Sequence, residues 1–164
     1  MKIMYINTVY AKGSTGNIVR SLAHFAKSRG ANYSIAVRES NSEEDVYKIG
    51  NRISVYAHAF LSRITDRAGL YSTNETKKLI AYIKKYNPDI IHMHNLHGYY
   101  LNYKVLFDYL KNSYPVKVVC TMNDCWSFTG HCAYYSISHC FKWLETEGGG
   151  AATAPKQRHI LAVM

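Results

Sequence analysis

Three histidines with the potential for acid–base or metal chemistry lie close together, at positions 92, 94 and 97. If the apolar run around them forms a strand, His92 and His94 point to the same side, because side chains alternate along a strand. Imidazoles can move protons, bind substrates or bind metal ions. No carboxylate lies at a spacing that would support a metal pair, so we favour substrate binding or acid–base chemistry. One buried core histidine and two loop histidines remain the alternative.

A second group of reactive side chains lies at residues 124–131, Asp-Cys-Trp-Ser-Phe-Thr-Gly-His. An aspartate followed by Trp126, Thr129 and His131 could hold a sugar, since sugar rings stack on aromatic side chains and sugar hydroxyls pair with carboxylates. Three nearby cysteines lack the Cys-x-x-Cys spacing of zinc sites, so we interpret them as free thiols and predict no metal. These cysteines are Cys125, Cys132 and Cys140.

A short glycine-rich segment, Gly13, Ser14, Thr15 and Gly16, follows an apolar run and precedes a helical pattern. Backbone amides at the start of a helix attract phosphate and other anions. The segment has neither the dinucleotide-binding spacing nor the Walker spacing. A tight turn with a serine or threonine cap is therefore an equal alternative.

The elements that must position these clusters are predicted from the spacing of apolar residues. Short apolar or β-branched runs predict strands at 2–7, 33–37, 89–94 and 115–121. Apolar residues at helical spacing predict helices at 17–29 and 53–64, a third that buries Leu79, Ile80 and Ile83, and a fourth that buries Val105, Leu106, Tyr109 and Leu110. The polar and acidic stretch 38–51 predicts a loop.

Local signals mark where these helices begin and end. Gly30 suits the left-handed position just past a helix. Ser72 and Glu75 form a capping-box pair ahead of the third helix, and Asn87-Pro88 ends it. Asn102 is predicted to cap the fourth helix.

Strands that alternate with helices imply crossover connections, and hence an α/β fold with a parallel sheet and helices on both faces. Such sheets bind ligands beyond the carboxyl ends of their strands. Three polar clusters fall at those ends, at 12–17, 94–100 and 123–131. The sequence therefore predicts a binding site at that edge of the sheet.

Composition bounds the remaining possibilities. The chain has 164 residues, enough for one domain, and its 48% hydrophobic content excludes wholesale disorder. No apolar run could span a bilayer and no secretory signal is evident, so we expect a cytoplasmic protein. The net charge of +9 fits nucleic acid, an anionic membrane or an anionic substrate. The basic residues are dispersed and no base-stacking motif accompanies them, so we do not predict a nucleic-acid partner.

Three segments together resemble bacterial family 4 glycosyltransferases of the colanic-acid or exopolysaccharide type. They are Gly-Ser-Thr-Gly at 13–16, Pro-Asp-Ile-Ile-His-Met-His-Asn-Leu-His-Gly-Tyr-Tyr at 88–100, and Asp-Cys-Trp-Ser-Phe-Thr-Gly-His-Cys-Ala-Tyr-Tyr at 124–135. The resemblance implies an enzyme with two Rossmann-like domains, the GT-B arrangement, that transfers a sugar from a nucleotide-sugar with retention of configuration. Its amino-terminal domain holds the acceptor, and its carboxy-terminal domain holds the donor and supplies a paired-glutamate motif. This chain resembles the amino-terminal half alone, over residues 1–144.

The resemblance also implies roles for individual residues. Gly13 to Gly16 would line the cleft near the donor phosphates. The acceptor side would be shaped by His94, Asn95, His97, Gly98 and Tyr99. Asn123 and Asp124, the candidate catalytic residues, would lie nearest the reacting sugar beside Trp126, with Thr129 and His131 as further substrate contacts. No cofactor is expected in this chain, because the nucleotide-sugar belongs to the other domain.

Two departures from the family pattern bear on activity. Asn123 stands where this branch has a histidine, and an amide cannot titrate. After Cys140 the chain has no Cys-x-x-Cys-Pro segment and no paired-glutamate motif. One base out of phase, codons for residues 150–155 can encode Cys-Gly-Asn-Cys-Pro, so we hypothesise a frameshift near 145–149 and a non-native or disordered tail over 145–164. A divergent tail is the alternative.

The resemblance thus implies the acceptor-side domain of a retaining glycosyltransferase for cell-surface polysaccharide synthesis, inactive by itself. The alternative is a non-catalytic module that binds a sugar or phosphate. The expected partners are a sugar or lipid-linked sugar acceptor, the missing donor-binding domain, and a second copy docked through the open cleft face. An anionic membrane could meet the helix that carries Tyr56, Phe60, Leu61, Arg63 and Arg67, although we expect its apolar side to pack in the core.

Overall fold

The computed structural model describes residues 1–42, 44 and 46–129, and these form a parallel sheet of five strands. The strands are β1 (Lys2–Tyr10), β2 (Asn32–Ser40), β3 (Tyr47–Lys48), β4 (Ile90–Met93) and β5 (Lys117–Cys120). Their order across the sheet is β3-β2-β1-β4-β5, and every adjacent pair is parallel. The helices are α1 (Gly13–Ser28), α2 (Arg52–Thr65), α3 (Thr73–Tyr86), α4 (Tyr103–Asn112) and the single turn α5 (Trp126–Thr129). The predicted α/β architecture is confirmed.

Each face of the sheet has its own apolar core, because successive residues of the central strand face opposite sides. Met4 and Ile6 of β1 are fully buried with residues of α3 and α4, among them Leu79 and Leu106. Ile3 and Tyr5 are buried on the other face with Val19 and Ala23 of α1. Helices therefore cover both faces, as the sequence predicted.

Three of the local signals act as expected, and one of them is that α3 ends at Tyr86, directly before Asn87-Pro88. Gly30 follows α1 with φ of +78°, where a glycine meets no steric penalty. The side chain of Asn102 caps α4, since its oxygen accepts a hydrogen bond from the Val105 backbone N–H at 3.1 Å.

The prediction of a loop over 38–51 is wrong in part. Strand β2 extends to Ser40, and the short strand β3 adds to its outer edge, with Ala36 opposite Tyr47 and Val37 opposite Lys48. An edge strand of two residues needs few apolar side chains, so the polar composition around it gave no strand signal. The Tyr47 ring stacks on that of Tyr82 in α3, 4.2 Å between centroids.

The predicted capping box of Ser72 and Glu75 is also wrong. Ser72 precedes α3 with φ of +58° and makes no capping bond with its side chain. Its hydroxyl lies 2.8 Å from Nδ1 of His58 in α2 instead. A capping box is present at the start of α2, where the Asn51 side chain accepts from the Ser54 N–H and the Ser54 hydroxyl accepts from the Asn51 N–H.

The apolar stripe of α2 does not pack in the core, contrary to expectation. Its large side chains face solvent, and Phe60 is 65% exposed. The buried side of α2 is the one that carries His58 and Ser62. Periodicity identified the apolar face correctly, but it could not show that hydrogen bonds made by His58 hold the opposite face inward.

Over the described residues, no helix has both the length and the apolar character needed to cross a membrane.

We expect Gly69→Ala to destabilise the fold far more than Gly30→Ala. Both glycines have positive φ, so either substitution strains the backbone by about 1 kcal/mol. A Cβ at Gly69 would also overlap the ring of Tyr103, whereas a Cβ at Gly30 has no atom within 4 Å. Overpacking adds about 1–3 kcal/mol at Gly69. Urea unfolding of the two variants measures the difference, and equal losses would contradict the described packing.

Candidate functional site

Polar residues of β1, the central strand, position the loop that follows β4. They lie just past the part of β1 that pairs with β4. Asn7 is fully buried, and its side-chain oxygen accepts a hydrogen bond from the Asn95 backbone N–H at 3.1 Å. The hydroxyl of Thr8 lies 3.0 Å from the carbonyl oxygen of Asn95 and 2.7 Å from that of His97. Because β1 and β4 are adjacent parallel strands, the polar end of one reaches directly into the loop after the other. Sequence analysis missed both residues, although two polar residues directly after an apolar run were a usable signal.

The next turn of this loop requires a glycine. Gly98 has φ of +114°, and a Cβ there would lie 2.8 Å from the Thr8 methyl carbon. The Arg38 guanidinium of β2 donates to the Gly98 carbonyl oxygen at 3.2 Å. Tyr99 follows with φ of +61° and meets the His58 ring edge-on, 5.6 Å between centroids.

The Asp124 carboxylate joins the loops after β4 and β5. One of its oxygens, Oδ2, accepts hydrogen bonds from Asn95 Nδ2 at 3.1 Å and from His97 Nε2 at 2.8 Å. The other, Oδ1, accepts from the Trp126 backbone N–H at 3.0 Å. The Asp124 side chain is only 9% exposed. No carboxylate lies beside the histidine cluster in sequence, yet the fold supplies one to His97 from 27 residues away.

This carboxylate also selects the form of His97. Because Nε2 faces a carboxylate, it carries a hydrogen, and the tautomer that this contact favours leaves Nδ1 as an acceptor. The His97 side chain is 31% exposed, and its ring centroid lies 5.6 Å from that of Trp126. The arrangement offers an oriented imidazole beside an aromatic surface.

Asn123 belongs to the same network. Its Nδ2 donates to the side-chain oxygen of Asn95 at 2.9 Å and lies 3.4 Å from Nδ1 of His94. The structure thus brings together Asn95, His97, Asn123, Asp124 and Trp126 of the predicted site.

His92 and His94 do point the same way, as predicted, and their rings stack 4.4 Å apart. His94 is 4% exposed. Burial, reinforced by the neighbouring His92, lowers the pKa of His94 to about 4. His94 is consequently neutral near pH 7, in a different environment from the half-exposed His97.

Within the described residues, no group of three or more His, Cys, Asp or Glu side chains is arranged to hold a metal ion.

The predicted anion-binding segment forms the first turn of α1, at the same edge of the sheet. Lys12 occupies the cap position and makes no capping bond with its side chain, and Ser14 and Thr15 lie inside the helix. Gly16 packs against β1, since a Cβ there would lie 3.2 Å from a Val9 methyl carbon. Anion binding here stays a prediction.

Several predicted features fall outside the part that the structure describes. His131, Cys132, Cys140 and the tail 145–164 lie beyond residue 129. Thr129 is the last residue of α5.

Residues 9–129 match the protein family described as glycosyl transferase 4-like. The chain belongs to this glycosyltransferase family. It is 30% identical over 147 residues to a protein of Escherichia coli (strain K12) named "Putative colanic acid biosynthesis glycosyl transferase WcaC". The match covers 82% of this chain and 36% of that relative, so the chain spans about a third of its length. No solved structure is significantly similar to it.

The family match spans the loops after β4 and β5, which carry the network around Asp124, but it leaves out Asn7 and Thr8 of β1. It begins at the end of β1 and ends at the last residue of α5. The network around Asp124 therefore lies entirely within the matched region.

We expect Asp124→Ala to destabilise this domain by about 3 kcal/mol, because it leaves three hydrogen-bond donors without their acceptor. Asp108→Ala is the matched control. Asp108 makes an exposed ion pair with Lys104 in α4, so its loss should change stability by about 0.5 kcal/mol or less. Chemical unfolding compares the two, and similar small effects would show that the Asp124 network contributes little.

The buried histidines should make the fold sensitive to acid. Burial lowers the pKa of His58 and of His94 to about 4, below the ordinary value of 6.5. Their contribution to stability is complete above about pH 6.5 and is lost as the pH falls towards about 4, because the unfolded chain is protonated first. The loss should reach about 1–3 kcal/mol per histidine, measured by urea unfolding at about pH 7 and about pH 5.

Glutamine variants separate this effect from general acid unfolding. His58→Gln should lower stability at neutral pH but flatten its decline towards acid. His94→Gln should flatten the decline in the same way, because burial also lowers the pKa of His94. An equal decline in wild type and His58→Gln would rule out His58 as a source of acid sensitivity.

Proposed function

We propose that this chain is the acceptor-side domain of a retaining, nucleotide-sugar-dependent glycosyltransferase that acts in cell-surface polysaccharide synthesis. Family membership supports sugar transfer as the general chemistry. The name of the E. coli relative supports the polysaccharide context. The observation that carries the proposal is the hydrogen-bonded network of Asp124, His97, Asn95 and Asn123 at the carboxyl edge of the sheet.

This network has the groups that a sugar acceptor needs. The Nδ1 atom of His97 can accept a hydrogen bond from a sugar hydroxyl, and the amide of Asn123 can pair with another. The Trp126 ring lies beside His97 and offers a surface on which a sugar ring can stack. We propose that His97 contacts the acceptor hydroxyl and that Asp124 orients it.

The donor would be held elsewhere. We propose that the diphosphate of the nucleotide-sugar approaches the first turn of α1, at Gly13 to Gly16, while a carboxy-terminal domain with the paired glutamates binds the nucleotide. On this proposal the present chain transfers no sugar by itself and needs no cofactor of its own. It would work in the cytoplasm on a sugar or lipid-linked sugar.

A non-catalytic sugar- or phosphate-binding module is the second candidate. The observation that favours it is Asn123, which uses its Nδ2 hydrogens within the network and cannot exchange a proton. Both candidates predict ligand binding at the same edge and no turnover by the chain alone, so turnover after the chain is joined to a donor-binding domain is what separates them. A second copy docked at this edge would compete with the ligand in either case.

The proposal predicts that the purified chain binds neutral oligosaccharides and turns over no nucleotide-sugar. Saturation-transfer NMR with a panel of oligosaccharides should show binding that His97→Ala weakens on the order of ten-fold, since a hydrogen bond beside a charged group is lost. His24→Ala, on the opposite side of β1, serves as the control. Absence of binding to any sugar would overturn the acceptor-side proposal and leave the second candidate only as a phosphate-binding module.

Measuring nucleotide release from nucleotide-sugars tests whether acceptor binding and donor binding are divided between two domains. Incubated with a panel of nucleotide-sugars, the chain should release no nucleotide, and joining it to the domain encoded downstream in the shifted frame should restore transfer. Turnover by the chain alone would contradict the acceptor-side assignment. A gene with no such downstream domain would put the binding module first.

A further inference from the structure

Arg38 lies near the end of β2, at the carboxyl edge of the sheet, beside the loop that carries His97. Its Nη1 donates to the Gly98 carbonyl oxygen at 3.2 Å, and the position of a Cβ on Gly98 would be 3.7 Å from the same nitrogen. The Arg38 side chain is 29% exposed. A partly enclosed arginine therefore touches the residue next to His97, the proposed acceptor contact.

Holding the Gly98 carbonyl uses only part of what this side chain offers. A guanidinium has five N–H donors in a planar fork. Over the described residues, Arg38 uses one of them on Gly98 and one on the Glu39 carboxylate, where Nη2 lies 3.3 Å from Oε2. The fork matches the paired oxygens of a carboxylate or a phosphate group. Three donors therefore remain for a ligand of that kind.

The charges beside Arg38 leave a positive balance on this side of the edge. Glu39 divides its carboxylate between two cations, since Oε1 contacts Lys12 and Oε2 contacts Arg38. The contact with Lys12 holds the pKa of Glu39 below its ordinary value, so the carboxylate is charged near pH 7. Two cations around one carboxylate leave one positive charge in excess. The oxygens of Asp124 face other partners, which are Asn95, His97 and Trp126.

Glu39 also shows which chemical group these two cations accept. Its side chain is 42% exposed, and its distance of 3.3 Å from Arg38 is long for a hydrogen bond between charged groups. Exposed ion pairs of this kind are weak. A carboxylate or phosphate of a ligand can therefore replace Glu39 on Arg38, while Glu39 stays with Lys12.

We propose that Arg38 is a specificity-determining residue that selects an acceptor sugar bearing a negative charge, a carboxylate or a phosphate, on the ring that meets His97 and Trp126. This inference rests on the proposed function, because it assumes that the acceptor lies against His97. A neutral sugar makes the contact with His97 and lacks the paired contact with Arg38. The charge of the acceptor then decides its affinity.

An NMR titration of the whole 164-residue chain with matched sugars tests the proposal. The carboxylate arm compares the methyl glycosides of glucose, galactose and mannose with those of their uronates. The phosphate arm compares glucose and galactose with their 1-phosphates, and inorganic phosphate is titrated alone. At least one charged sugar should bind on the order of ten-fold more tightly than its neutral partner. The preference should shrink as salt is added, and inorganic phosphate should bind much more weakly.

Substitutions of Arg38 should change this preference in a graded way. Arg38→Gln should abolish it, whereas Arg38→Lys should retain part of it, because lysine keeps the charge and loses the fork. Arg29→Gln is the matched control. Arg29 follows the opposite end of α1 with its guanidinium over the Phe25 ring, so its loss should leave the preference unchanged.

Glu39→Gln supplies a readout that a purely structural arginine would not give. It removes the carboxylate that competes for Arg38 and keeps a side chain of the same shape. The charged sugar should then bind about two- to five-fold more tightly. This variant also keeps the proposal falsifiable if Arg38→Gln fails to fold.

Four outcomes would overturn the proposal. They are equal binding of charged and neutral sugars in every pair, an unchanged preference in Arg38→Gln, weaker binding of the charged sugar by Glu39→Gln, and binding of inorganic phosphate as tight as that of the charged sugars. Each of them leaves the binding of neutral sugars, and with it the proposed function, intact. Absence of binding to every sugar would instead contradict the proposed function and this inference together.

Discussion

The central strand, β1, is the element on which the rest of this domain depends. It is paired with β2 on one side and with β4 on the other, and its successive residues enter the two apolar cores in turn. Where the apolar run gives way to Asn7 and Thr8, the same strand holds the loop after β4 through its polar side chains. A single buried strand thus builds the sheet and sets the geometry of the candidate site.

Periodicity was enough to predict the parallel sheet and the helices on both of its faces, because buried strands and amphipathic helices leave repeating apolar patterns. It could not predict contacts between residues far apart in the chain. Ser72 was expected to cap α3, yet it is bonded to His58, which lies 14 positions earlier. The bond between His97 and Asp124 spans 27 positions, so neither residue signals the other locally. The outward orientation of α2 likewise depends on Gly69 and Ser72, which lie outside the helix.

Two histidines three positions apart show how strongly burial decides chemistry. His94 is enclosed and stacked on His92, so its charged form is disfavoured and it contributes shape and packing. His97 stands at the rim with one nitrogen bonded to a carboxylate and the ring beside Trp126. Their spacing alone left open either one cluster with a shared role or a division between core and loop. The fold divides them between core and surface, because the strand ends at Met93 and the chain then turns outward.

The Asp124 carboxylate also has a consequence for how such a site can evolve. Since one side chain fastens the loops after β4 and β5 together, the two walls of the site cannot be reshaped independently. A substitution that widens one loop disturbs the other through the shared acceptor. A lineage that acquires a new ligand must therefore change both loops in concert, or keep the pair and vary only the side chains at their tips.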